Sequence, residues 1–145
     1  MIKVEVSADD FDAGYQISKL SALGGGAVAS FIGLVRGDDD VEALELEHYP
    51  VMTQKTLRDI AETASDRWPL HGITIVHRVG KISLGEQIVL VCTCSDHRNA
   101  ALDACSYIMD RLKTDAPFWK KQWFKGGRSE WVEERQSDLD AKCKW

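Results

Sequence analysis

The stretch Ser95–Arg128, SDHRNAALDACSYIMDRLKTDAPFWKKQWFKGGR, decides how the chain folds, because it changes periodicity and breaks at one proline. Up to Leu112, the apolar residues Ala101, Ala104, Cys105, Ile108, Met109 and Leu112 recur at helical spacing, leaving Asn99, Asp103, Asp110 and Arg111 outside the stripe. That spacing predicts an amphipathic helix. Ser95 or Asp96 is its expected cap. This places His97 and Arg98 in the first turn, where free backbone N–H groups and the positive end of the helix dipole favour an anion. Pro117 disfavours helix at Ala116 and ends the pattern. Beyond it, Phe118, Lys120, Gln122 and Phe124 alternate with Trp119, Lys121 and Trp123, the period of a strand. Lys120 and Lys121 therefore face opposite ways, and Lys120 meets Lys113 of the last helical turn only if the chain folds back at the proline. An isolated surface lysine is ordinarily solvated. Here large aromatics that need burial flank the lysines and would wall a cleft.

The chain's 145 residues make one domain, 1–145, large enough to bury a core without staples. The start MIKVEVSADD has no apolar stretch behind a basic segment, and no run reaches the length of a membrane span, so a soluble cytoplasmic protein is expected. The formal net charge is −5, which argues against a general nucleic-acid binder. It is unevenly spread: residues 111–145 carry nine Lys or Arg against six Asp or Glu. An acidic body with a basic working end suits a small anionic ligand. Cys92, Cys94, Cys105 and Cys143 are expected to be reduced thiols. Cys92-x-Cys94-x-x-His97 suggests a metal, but a structural zinc site needs four ligands in pairs and no second pair follows, so buried packing is the better reading and no metal is assigned.

Ahead of that stretch, Ile2–Val6 alternates as a first strand, and a weak helix runs from about Asp9 to Leu23. Gly24–Gly26 lacks either phosphate-loop spacing and precedes a strand, so a turn is expected. Ala27–Val35 and Val41–Tyr49 read as strands paired in a hairpin, with Asp38–Asp40 as a solvated tip lacking calcium-loop spacing. Arg36, just before the tip, is the more interesting charge. Thr53 can cap a helix whose stripe is Met52, Leu57, Ile60, Ala61, Ala64 and Trp68, stopped by Pro69. Ile73–Val79 and Gln87–Cys94 are further strands joined by GKISLGE, Gly126-Gly127 is a turn, and Trp131-Val132 returns as a strand before a polar tail. His48 and His77 sit on strands, where a single histidine is ordinarily a hydrogen-bonded structural group. Helices mixed with hairpins indicate an α+β fold, with a mixed, largely antiparallel sheet and an additional hairpin near the C-terminus.

With these residues laid out, the chain resembles the catalytic (large) subunit of molybdopterin synthase. The matching blocks, in order, are FIGLVRG from Phe31, LEHYPVMTQK from Leu46, RWPL from Arg67, HRVG from His77, SDHRNAA from Ser95, YIMDRLKTDAPFWKK from Tyr107 and WVEER from Trp131, then the Ser-Asp pair at Ser137. Blocks this numerous and ordered reach from near the N-terminus to the tail. The resemblance implies an α/β-hammerhead fold and a dimer of this subunit within a heterotetramer. Each copy would bind a small ubiquitin-like sulfur carrier whose C-terminal Gly-Gly ends in a thiocarboxylate. Sulfur would pass to cyclic pyranopterin monophosphate, making the dithiolene of molybdopterin with no cofactor or metal at this step.

By the same resemblance, Lys113 and Lys120 fall on the family's active-site lysines. Arg36, His97 and Arg98 fall on its anion- and substrate-binding positions, Arg135 matches the arginine of the returning strand, and Phe31 and Met109 lie in matching blocks and rank below these as candidate pocket walls. The chemistry fits that assignment. Attack on a thiocarboxylate carbonyl or on pterin carbons develops oxyanion charge, which a cluster of Lys and Arg in a dry cleft stabilises. A lysine whose ammonium is disfavoured by burial and cationic neighbours can exchange a proton, and arginine is the better phosphate clamp. One position departs: Gln122 stands where the family usually has glutamate, leaving a neutral hydrogen-bonding group in place of a carboxylate. Two other readings are open. The aromatic and lysine strand 118–128 could serve a non-catalytic module for single-stranded nucleic acid, or the chain could only bind a ubiquitin-like protein.

Overall fold

The computed structural model describes residues 1–38, 40–132, 136–143 and 145. In chain order its elements are β1 (Ile2–Ser7), α1 (Ala13–Ser21), β2 (Ala27–Leu34), β3 (Val41–His48), α2 (Pro50–Arg67) and β4 (Leu70–Arg78). They continue with β5 (Gly80–Ser83), β6 (Gln87–Ser95), α3 (Arg98–Asp115), β7 (Phe118–Phe124), β8 (Ser129–Val132) and α4 (Gln136–Cys143). The strands form two four-stranded sheets, ordered β1-β4-β6-β2 and β5-β3-β7-β8. Among the described residues, only β1 and β4 pair in parallel. The fold is therefore α+β with largely antiparallel sheets, and β7–β8 is the additional hairpin, turned at Gly126 and Gly127 with φ of 95° and 90°.

In the first sheet, β4 and β6 are buried along nearly their whole length because helices cover both faces. Ile73, Ile75, Val89 and Val91 face α2 and α3, which contribute Leu57, Ile60, Tyr107 and Ile108 to one core. Val76, Leu90, Cys92 and Cys94 face α1 and pack with Leu20 in a second. Both strand cysteines are thus packing groups. The second sheet is covered on one side, where Leu46 and Ile82 join Val35, with Leu44 and Phe118 packed against them. Its other side carries the polar alternates Glu45, Glu47, Lys81 and Lys121.

Several sequence expectations change. β2 and β3 do not form a hairpin: β2 pairs with β6 in the first sheet, and β3 pairs with β5 and β7 in the second. The segment between them crosses from one sheet to the other, held where the Val35 N–H donates to the Glu86 carbonyl at 2.9 Å. Part of GKISLGE is itself a strand, β5. Helix α2 starts at Pro50, whose fixed φ and missing N–H suit a first helical position. Thr53 is therefore inside its first turn, and Met52 is exposed. Helix α3 starts after His97, with no side-chain capping bond, and Ser95 is the last residue of β6, its hydroxyl donating to the Pro69 carbonyl. The glycine triplet makes a turn at Gly24 (φ +87°) and then a close approach, since a Cβ on Gly26 would stand 2.4 Å from the Asp96 carbonyl oxygen. The polar tail holds α4, which packs on α3.

Candidate active site

His77 organises the end of the molecule where α3 stops and β7 begins. It shares a strand face with Ile73 and Ile75, so its ring points toward the α3 layer. It is 7% exposed. Its Nδ1 lies 2.8 Å from the Arg78 carbonyl oxygen. A carbonyl only accepts, so Nδ1 carries the proton and Nε2 is left as the ring's acceptor. Phe118 stacks on the imidazole with ring centroids 4.1 Å apart and an interplanar angle of 21°. Burial pushes the imidazole down to about 4, against the Arg78 hydrogen bond, and the charges of Lys120, Lys113 and His48 push the same way. Near neutral pH the ring is uncharged.

Those charges also locate the two lysines. Lys113 lies in the last turn of α3, one residue after buried Leu112, and the helix stops at Asp115 with Ala116 in an extended conformation. The chain reverses through Ala116-Pro117 and enters β7, where Lys120 pairs with Leu46 and Val132 on the covered face of the second sheet. Lys121 points the other way, its ammonium over Trp131 at 4.6 Å. The fold-back at the proline thus puts Lys120 and the exposed Lys113 at the same end of the molecule, where the charges of both disfavour protonation of His77. Arg36 belongs to the same end, since it directly follows Val35, a core partner of Leu46 and Ile82 against which Phe118 packs.

The other expected site residues lie elsewhere. His97 and Arg98 are at the opposite end of α3, about 22 Å from Lys113 along the helix axis, at 1.5 Å per residue. They are exposed, beside the pair His71 Nε2 and Asp96 Oδ1 at 2.6 Å. Phe31 lies on β2, 43% exposed, and Met109 is in the core one helical turn before Lys113. Arg135 lies outside the described residues. Around the end of β3, a cleft of about 350 Å³ is lined by Glu47, His48, Tyr49, Trp119 and Trp131. His48 reaches both places, lining the cleft and lying 6.2 Å from the Phe118 ring. The hydrogen bond expected for it is missing at Nδ1, which is buried without a partner among the described residues.

A family model described as MoaE protein matches residues 6–115. A relative from Pseudomonas aeruginosa named molybdopterin synthase catalytic subunit is 48% identical over 149 residues, covering 99% of this chain and 97% of its own. The chain belongs to the MoaE family. Among solved structures, the molybdopterin cofactor biosynthesis protein E of Burkholderia multivorans superposes with a TM-score of 0.85 at 47% identity, covering 100% of this chain and 97% of that one. A molybdopterin synthase chain from Staphylococcus aureus gives 0.81 at 31% identity, covering 89% and 96%.

Seen on the MoaE fold, Gln122 follows Lys120 on the same face of β7 and stands opposite Glu130 of β8. A glutamate there would face a like charge across the strands, an unfavourable pair that the neutral amide avoids. The nucleic-acid reading is not favoured, because the strand's tryptophans are already engaged: Lys81 lies 4.3 Å from the Trp123 ring centre, the Trp123 Nε1–H donates to Glu45, and Trp119 meets Tyr49 edge-on at 4.9 Å. His77 and His48 are what the sequence reading passed over. Alternation put both on strands, and nothing in their spacing shows that two sheets bring them to the same phenylalanine.

Proposed function

We propose that this chain is the catalytic subunit of a molybdopterin synthase, moving sulfur from the C-terminal thiocarboxylate of a small ubiquitin-like carrier to cyclic pyranopterin monophosphate. The observation that carries the reading is a fold shared with molybdopterin synthase subunits, in which the chain reversal at Pro117 puts Lys113 and Lys120 at one end of the molecule. Two ammonium groups beside an apolar wall are suited to oxyanion charge on a thiocarboxylate carbonyl or a pterin carbon. Lys113, at the helix end, exchanges the proton; Lys120 stabilises the developing charge; Arg36 holds the phosphate through its bidentate fork. The free thiols of Cys92, Cys94, Cys105 and Cys143 support a cytoplasmic setting for this reaction.

His97 and Arg98 join this site from a second copy. β2 is an edge strand that exposes Phe31, Ile32 and Leu34, and it runs from Ala27, opposite Ser95, to Leu34, opposite Gln87. Antiparallel pairing of two such edges about a two-fold axis carries Arg36 of one copy toward the α3 start of the other. The same pairing covers an otherwise exposed apolar edge.

Reconstitution tests the reading. Purified chain, thiocarboxylated carrier and cyclic pyranopterin monophosphate are expected to yield the dithiolene, with Lys113→Ala folded and at least about a hundredfold slower. No product from the wild type with a carrier shown to bind would sink the assignment.

A further inference from the structure

His77 is a polar group of the lysine site to which the sulfur-transfer reading gives no task. We propose that His77 is a positioning residue whose Nε2 lone pair accepts a hydrogen bond from a lysine ammonium and fixes where that ammonium points during turnover. Its part in turnover rests on the sulfurtransferase reading; the pairing itself does not.

Three observations carry it. The ring's tautomer is set, because the Arg78 carbonyl takes the Nδ1 proton at 2.8 Å and leaves Nε2 unprotonated. The ring's plane is set by the 4.1 Å stack on Phe118, itself packed against the core of Val35, Leu46 and Ile82. A lysine is at hand by register: Lys120 follows the stacked Phe118 on the same face of β7, and its charge, with those of Lys113 on α3 and His48 on β3, disfavours protonation of the ring. Ammonium groups donate and never accept, so the favourable pairing open to them with this ring is to its bare Nε2. A fixed acceptor removes rotamer freedom from a long flexible side chain, which is what a proton-exchanging lysine needs before the transition state. Held uncharged by burial, the imidazole performs this without adding a third positive charge to the pocket.

The test compares His77→Phe, which keeps the stack and removes the acceptor, with His77→Gln, whose amide oxygen restores one. His77→Phe is expected to lower kcat about tenfold or more while leaving KM for the carrier nearly unchanged, and to displace the pH profile of kcat. His77→Gln is expected to recover part of the loss. In the wild type, nitrogen-15 spectra of the ring are expected to show Nδ1 protonated and Nε2 bare between about pH 5.5 and 8. In Lys113→Ala or Lys120→Ala the ring is expected to titrate at higher pH, because a repelling charge is gone. Wild-type kcat and pH profile in folded His77→Phe overturn the proposal. Should that variant fail to fold, ring spectra that neither lysine substitution alters overturn it instead. A wild type that transfers no sulfur refutes the functional reading alone, since the spectra judge the pairing without substrate.

Discussion

At the residue scale, His77 couples the site to folding. Its ordinary value of 6.5 falls to about 4 in the folded chain, first through burial. The unfolded chain therefore binds more protons between those values, and stability rises with pH across that window. The contribution is present above about 6.5 and is lost as pH falls toward 4, a loss of about 3 kcal/mol across the window. Urea unfolding at both ends of the window checks this: His77→Phe is expected to lose most of the acid-side slope, and an unchanged slope would assign it to other groups. The sequence shows a histidine on a strand and stops there. Its neutrality comes from the α3 layer above it, the Arg78 carbonyl beside it and two lysines from distant segments, which no local spacing encodes. The lysines were more legible, because a proline between a helical and an alternating pattern forces the reversal that joins them.

At the element scale, α4 shows a helix held by charge more than by an apolar stripe. Lys142 donates to Asp115 Oδ1 at 2.6 Å, and Arg111, one helical turn before Asp115, holds the other carboxylate oxygen. Burial raises the Asp115 carboxyl, yet the hydrogen bonds from Lys142 and Arg111 outweigh it and leave the group below its ordinary value. Trp145 completes the clasp, edge-on to Trp68 and Tyr107 at 5.7 Å from each, with the Arg67 guanidinium donating to its carbonyl at 3.1 Å. Asp115→Asn is expected to cost about 2 kcal/mol in urea unfolding and to speed proteolysis of the C-terminal helix. Unchanged cleavage would mean that the aromatic contacts alone hold it. A helix of this kind has no periodic signal, which is why the tail reads only as polar. The hairpin expected for β2 and β3 failed for a related reason. β3 alternates Leu44 and Leu46 with Glu45 and Glu47, the mark of a sheet wet on one side, whereas β2 must serve a sheet with helices on both faces. Adjacency in sequence favours a hairpin, and the structure follows the contrast instead.

At the scale of the whole molecule, α3 is a rod that keeps two groups of basic residues apart. His97 and Arg98 mark one end and Lys113 the other, and helical geometry allows no bend that would bring them together within a copy. If sulfur transfer needs both ends, a two-fold dimer supplies them in trans, and each dimer holds two composite sites. This makes a prediction that point variants alone cannot reach. Lys113→Ala and Arg98→Ala are each expected to be nearly inactive as pure proteins. After unfolding and refolding as an equal mixture, half of the dimers contain one of each chain, and in those one site collects both defects while the other is intact. Activity is then expected to return to about a quarter of wild type. A site built within one copy gives no recovery on mixing, because every copy carries one lesion. Recovery would place the two-fold axis through the catalytic machinery, and the exposed edge of β2 would be the first surface to probe, with Ile32→Asp expected to yield monomers that keep their fold and lose turnover.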